Sequence, residues 1–442
     1  MPIDALPAVA TGWGAAGIPL LRAFFTAFAI AGACYAAAVA LLAWIPLRQR
    51  AFRSAIAIII ALSALLAAGA WRFPALLSAD VYAYAWYGEL AAAGADPYHP
   101  PALEHPVTEL DRAVALHWGA HPPPCAYGPA FVFVARMVVE AAAPFGAAAV
   151  ITALRLLALG GFAAVCALLV ACTAGRAAHE RAATLALVAL NPALIWGAVE
   201  GHNDALMVAA ALGGLLLAQR GRLIGAGIVM AGASLIKAPG ALVALAALPL
   251  FRRPRFAAAF ASSVVVAAAV YLALAGDPSA FAQSGFFRGE FSAQGAGELL
   301  ADLYVRGPQA HAVGSALGHL PGLALLAYGI SRVVRRHSDA WVVCAVAAWT
   351  LLPNPYPWYA IWVVPIGVTA LRSLWTGALV GISLGATLHY VPDVAGDAVV
   401  VWVIPQAQLA CVAVCTLLWL AIGAAGKHTL TGARQALPEE SS

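Results

Sequence analysis

Charge is what this chain has least of. Charged residues are 10% of its 442 positions, against about a quarter in soluble domains. With 63% hydrophobic residues and a mean hydropathy of +0.87, an ordinary soluble globule is excluded. No run of Lys or Arg appears and the formal charge is only +4, so there is no surface for nucleic acid. The seven cysteines are scattered without a CxxC pair, and only Cys125 lies in a polar loop. Neither a disulfide framework nor a zinc site is supported. The N-terminal MPIDALPAVATGWG lacks the cationic region of a cleavable signal peptide, so the first apolar segment is expected to remain as a span. No polar stretch is long enough for a second folded domain, and residues 1–442 are expected to form a single integral membrane domain.

Apolar runs of about 20 residues predict transmembrane helices. They fall near 20–46, 54–73, 148–172, 181–198, 204–219, 222–236, 240–250, 256–275, 314–334, 340–352, 358–371, 373–389 and 399–422. The predicted fold is therefore all-α and polytopic, with about 13 transmembrane helices. Basic turns at Arg48/Arg50/Arg53, Arg176/Arg181, Arg220/Arg222, Arg252/Arg253/Arg255, Arg332/Arg335/Arg336 and Arg372 then share one side. The positive-inside bias makes that side cytoplasmic. This requires Gly128–Pro144 to lie along the outer face as an amphipathic helix rather than cross. The remaining polar clusters then gather on the outer face.

The largest cluster is Ser78–Tyr127, a polar island in a chain of hydrocarbon. It holds six carboxylates (Asp80, Glu89, Asp96, Glu104, Glu109, Asp111) against the single base Arg112. Seven prolines after Gly94 exclude a long helix, and its Tyr, Trp and His content argues against a solvated linker. Asp80, at the edge of a span beside aromatic rings, is a candidate general base, or else caps a helix over Val81–Ala93. Tyr82, Tyr84, Trp86 and Tyr87 fit either a binding site or an interface belt. Gly94-Ala95-Asp96-Pro97 reads as a turn that leaves Tyr98 and His99 to line a pocket, while Tyr127 is expected to pack structurally.

Glu200-Gly201-His202-Asn203-Asp204 puts four polar side chains at a membrane edge, where they are costly unless satisfied or used. By residue type Glu200, His202 and Asp204 could hold a divalent cation, and Asn203 or Asp204 could instead cap the following helix. Lys237 is an isolated outer-face cation suited to a phosphate or to snorkelling. Arg288 and Arg306, in the outer loop 276–311, are secondary phosphate candidates. Trp358 and Tyr359, behind Pro357, suit the face of a sugar ring. His389, Tyr390 and Asp393 carry a weaker signal.

The ordered motifs Asp80-x-Tyr-x-Tyr, Gly94-Ala-Asp-Pro-Tyr98, Tyr127-Gly-Pro129, Asn191-Pro192, Gly201-His-Asn-Asp204, Lys237-Ala-Pro239 and Pro357-Trp-Tyr359 resemble the GT-C superfamily of polyprenyl-phosphate-dependent glycosyltransferases. The closest likeness is to bacterial mannosyltransferases that use polyprenyl-phosphate mannose. The resemblance implies a GT-C-like helical bundle in the cytoplasmic membrane, with residues 78–147 as an extracytoplasmic catalytic loop and surface helices. It implies inverting transfer of a sugar from a polyprenyl-phosphate donor to a glycan or glycolipid acceptor. Asp80 matches the catalytic carboxylate and Lys237 a basic position near the lipid phosphate. The chain departs from the simplest pattern in having two spans before the aspartate, and one Asp80 rather than an Asp-Asp or Asp-Glu pair. The single carboxylate speaks against the metal-dependent oligosaccharyltransferase branch, so no cofactor is expected. A flippase would need midplane polar residues and repeats, and a glycan ligase or polymerase would want more than one outer cation, an alternative that Arg288 and Arg306 keep open.

Overall fold

The computed structural model describes residues 17–47, 49–72, 78–237, 239–240, 248–275, 308–352, 355–390 and 407–425. Arg288, Arg306 and Asp393 lie outside them. Among the described residues every regular element is helical. The first ten helices are α1 (Gly17–Trp44), α2 (Gln49–Trp71), α3 (Asp80–Ala92), α4 (Glu109–Trp118), α5 (Pro129–Ala142), α6 (Ala147–Cys172), α7 (Ala178–Ala189), α8 (Pro192–Glu200), α9 (Asp204–Gln219) and α10 (Leu223–Ile236). Longer helices follow at Pro254–Ala275, Pro308–Val334, Ala340–Thr350 and Leu374–Ala386, and at Ala407–Ala425.

Among the described residues, four stretches pass as long and apolar enough throughout to cross a bilayer: Thr26–Trp44, Ala51–Trp71, Ala147–Cys172 and Ala407–Ala425. Helices α7 and α8, bent at Asn191-Pro192, make a fifth if counted as one span. The helices Asp204–Gln219, Leu223–Ile236, Ala340–Thr350 and Leu374–Ala386 are 16, 14, 11 and 13 residues long, at about 1.5 Å per residue shorter than a hydrocarbon layer of about 30 Å. The Gly128–Pro144 segment forms the 14-residue α5, also too short to cross upright.

The chain divides into two compact units. The first holds Met1–Ile18, Leu66–Cys172 and Ile195–Ala293. In it α3 packs on α4, α5 and α6, α6 on α9, and α9 on α10, which also meets Pro254–Ala275. Val81 through Gly88 are all buried, as is Leu90. Tyr82, Tyr84, Trp86 and Tyr87 are therefore core residues, which corrects the interface-belt alternative: a helix apolar on every side is a buried one. Helix α4 begins in a capping box, Thr108 Oγ accepting from the Asp111 amide at 2.9 Å and Asp111 Oδ2 accepting from the Thr108 amide at 2.8 Å. Glu109 accepts from the Ala147 amide at 3.2 Å, at the start of α6. Two of the six loop carboxylates thus serve helix ends.

The second unit holds Pro19–Leu65, Thr173–Leu194 and Gln294–Ser442. Its buried polar centre is Asn191, which sits at the break before Pro192. The carboxamide donates to Tyr35 Oη at 3.0 Å and Ser383 Oγ at 2.8 Å, and its oxygen accepts from the amides of Ala193 and Leu194. Proline at 192 removes one amide that would otherwise need a partner, and Asn191 serves the next two. A cavity of about 1400 Å³ in this unit is lined by Arg176, Arg332, Arg372, Trp44 and Trp419 and holds none of the expected site residues.

Candidate active site

The polar residues that converge belong to the first unit. Asp80 opens α3 and is not its cap: the helix starts on Asp80 itself, the preceding Ala79 makes no side-chain cap, and Asp80's amide donates to Ser78 Oγ at 3.2 Å. The carboxylate therefore stays available, its side chain 22% exposed. Three groups surround Oδ2. Tyr84, one turn along α3, donates its hydroxyl at 3.3 Å; Tyr127, 47 residues later, donates at 3.4 Å; His202 Nδ1 lies 3.6 Å away.

His202 reaches Asp80 through a tight turn. Gly201 has φ +99°, a conformation that favours glycine, and a Cβ there would meet the Val81 side chain at 2.9 Å. The turn between α8 and α9 is therefore pressed against the first turn of α3. Burial, with Lys237 second, holds the His202 imidazole well below its ordinary titration range, so His202 faces Asp80 as a neutral ring. The Asp80 carboxyl is pushed above the usual carboxylate range, first by burial; Lys237 pulls it down, Asp204 pushes it up, and the bonds from Tyr84 and Ser78 pull it down. A carboxylate raised in this way is a better proton acceptor in its ionised form.

Lys237, at the end of α10, is not the isolated cation the sequence suggests. It is 7% exposed, its Nζ sits 2.8 Å from Asp204 Oδ1, and it lies 5.2 Å from the centre of the Tyr127 ring. Asp204 and Asn203 do not cap α9 with their side chains. The Asn203 carboxamide, 1% exposed, has no hydrogen-bond partner among the described residues. Glu200 is buried near Arg155, which donates to the Val199 carbonyl at 2.7 Å. No group of three His, Cys, Asp or Glu able to hold a metal occurs among the described residues, so Glu200, His202 and Asp204 do not converge as a cation cage.

Tyr82 stacks on His117 at 3.8 Å and supports α3 against α4. Tyr98 is buried, its hydroxyl donating to the Tyr127 carbonyl at 3.1 Å. His99 is exposed and paired with Asp96 at 2.7 Å, three residues away. Beside them runs a groove of about 570 Å³ lined by Asp96, Pro97, Tyr98, Phe133, Arg136, Ser262 and Val266. Trp358 and Tyr359 belong to the second unit, where Trp358 stacks on Tyr356 at 4.6 Å and Tyr359 on Trp362 at 4.0 Å.

Tyr127 is the residue the sequence reading undervalued. It does pack, edge-on to Tyr84 and Phe131, but it also hydrogen-bonds Asp80 and lies under Lys237. Its signal was the following Gly128. A Cβ there would fall on the Leu235 carbonyl, and the Gly128 amide donates to Ile236 O at 3.1 Å, so the start of α5 is held against the end of α10.

Residues 4–252 match a family described as alpha-(1->6)-mannopyranosyltransferase, N-terminal domain. The matched region contains Asp80, Tyr127, His202, Asp204 and Lys237. The chain is 27% identical over 368 residues to alpha-(1->6)-mannopyranosyltransferase A of Mycobacterium tuberculosis, covering 73% of this chain and 68% of the relative. No solved structure matches.

Proposed function

The chain belongs to the alpha-(1->6)-mannopyranosyltransferase family, and from that premise we propose that it transfers mannose from a polyprenyl-phosphate donor to a glycan or glycolipid acceptor, with Asp80 as general base. The observation that carries this reading is the Asp80 carboxylate itself: mostly buried, raised in basicity, and contacted by Tyr84, Tyr127 and His202. In the step, the acceptor hydroxyl oxygen bonds to C1 of the sugar as its proton passes to Asp80. The C1–O bond to phosphate breaks, and polyprenyl phosphate leaves with the electron pair. Because phosphate leaves as a stable anion, no acid need protonate it. Displacement from the opposite face inverts C1, so an α product calls for a β-linked donor.

The apolar groove beside Tyr98 suits the donor's isoprenoid chain, since Phe133 and Val266 are each 62% exposed there and Tyr98 joins it to Tyr127. Asn203 and His202 offer polar atoms for sugar hydroxyls. The leaving phosphate needs a cation; Arg288 and Arg306 carry that expectation, whereas Lys237 is already engaged by Asp204. We place the site on the extracytoplasmic face of the bacterial cytoplasmic membrane, in a single enzyme domain. In this reading the shorter apolar helices cross together with their flanking residues, making about thirteen spans, and no metal takes part.

The test uses purified protein in liposomes with labelled polyprenyl-phosphate mannose. Release of polyprenyl phosphate and labelled glycan by wild type, lost in Asp80→Asn, is the expected result. Undiminished transfer by Asp80→Asn would sink the base assignment. Movement of the donor across the bilayer without turnover would make the protein a flippase.

A further inference from the structure

We propose that the Lys237–Asp204 pair is a charge-setting device for Asp80, with Lys237 a positioning residue that keeps the base ionised rather than the hand that receives the donor phosphate. This rests on the reading of Asp80 as the base.

The geometry supplies the argument. Lys237 ends α10 in extended backbone, φ −152° and ψ 138°, and its side chain is buried rather than reaching for water. It lies over the ring of Tyr127 at 5.2 Å, and the hydroxyl on that ring touches Asp80 Oδ2 at 3.4 Å. A cation over a phenol ring draws electron density from it and strengthens its O–H as a donor. Lys237 therefore favours the carboxylate form of Asp80 twice, through space and through Tyr127. Asp204 works in the opposite sense. Its oxygen holds Lys237 at 2.8 Å, and as the first residue of α9 it sits where a helix end favours negative charge.

A phosphate arriving at Lys237 would have to strip Asp204 and leave a carboxylate that is 2% exposed without its cation, which is the costly way to open a buried pair. The other groups around Asp80 do not substitute for this pair. Tyr84 and Tyr87 are on its own helix; His202 is neutral; His117 of α4 stacks on Tyr82; and Arg155 of α6 interacts with Glu200 and Tyr82.

The sign follows directly. Without Lys237 the Asp80 carboxylate loses its cation and binds a proton more readily. Without the Asp204 charge, Lys237 acts on Asp80 unopposed. The experiment is the pH profile of kcat/KM for mannosyl transfer from polyprenyl-phosphate mannose in liposomes, with donor KM measured above the acid limb. Lys237→Met should move the acid limb up by on the order of one pH unit and leave donor KM within about threefold. Asp204→Asn should move the limb down. A merely structural role gives loss without opposed shifts.

A tenfold or greater rise in donor KM for Lys237→Met, with the acid limb unmoved, would make Lys237 the phosphate hand and overturn the proposal. A uniform loss in both variants with unmoved limbs would overturn it too. Should Lys237→Met fail to fold, the Lys237→Met/Asp204→Leu double variant leaves no buried charge of the pair unmatched. A donor KM within threefold of wild type supports the proposal and a tenfold rise overturns it. Activity in Asp80→Asn would remove the base reading itself, a failure visible before Lys237 is touched.

Discussion

Two buried polar centres in this protein are built on opposite terms. Around Asn191 the groups are neutral and every bond of the carboxamide that can be named is met: Tyr35, Ser383 and two backbone amides. Tyr35 in turn donates to Leu187 O at 2.7 Å, and Ser383 to Val380 O at 2.8 Å. Around Asp80 the bonds from tyrosine are long, at 3.3 and 3.4 Å, a histidine stands at 3.6 Å, and a second carboxylate with its lysine lies behind. The first centre is a lock, in which closed hydrogen bonding fixes a helix break. The second keeps a carboxylate partly open and electrically biased, the condition of a group that has to change its protonation state.

The contrast can be broken by substitution. The largest effect is expected at Asp80: Asp80→Asn should lower kcat by about 10²- to 10⁴-fold, the range for loss of a general base, with the melting temperature little changed. Next comes Tyr127→Phe, which removes one bond to Asp80. Its kcat/KM should fall about tenfold, and its acid limb should move to higher pH, because the carboxylate loses a donor that favours its charged form. Wild type should itself lose activity on acidification at a pH above the ordinary carboxylate range, since burial raises Asp80 and the protonated form cannot accept a proton. Asn191→Ala should do the reverse of Asp80→Asn. It leaves buried partners unmet at about 2 kcal/mol, read as a lower unfolding temperature, while activity per folded molecule is kept. The smallest effect is expected at His99→Ala, which breaks an exposed pair with Asp96 worth about 0–1 kcal/mol; less than a threefold change in rate would set that pair outside the chemistry.

What the sequence made legible was chemistry, and what it hid was adjacency. Asp80, His202, Asp204 and Lys237 stand out because ionisable residues are scarce in a chain with 10% charge. Their mutual contacts did not. Lys237 looked solitary because its partner lies 33 positions earlier, and no local pattern records a bond across two helices. The α3 aromatics were readable in retrospect, since apolar and aromatic residues run through every face from Val81 to Tyr87, leaving no polar side to meet water. Tyr127 was hidden for another reason: its ring has ordinary packing partners, and only its hydroxyl reaches the base. Among the loop acids, Asp111's cap could have been read from Thr108, three residues before it, and was missed, whereas Glu109's bond to Ala147 needed the fold.

The stitch at Gly128 has a consequence for variation. This residue bears no reactive atom, yet it joins the segment carrying Tyr127 to the one carrying Lys237, and any side chain at all collides with Leu235. Inherited loss of function should therefore concentrate at a position with nothing to donate, accept or titrate. A saturation library at 128, selected for mannosyl transfer, should return glycine alone, while Gly94, whose Cβ would meet nothing within 4 Å, admits asparagine.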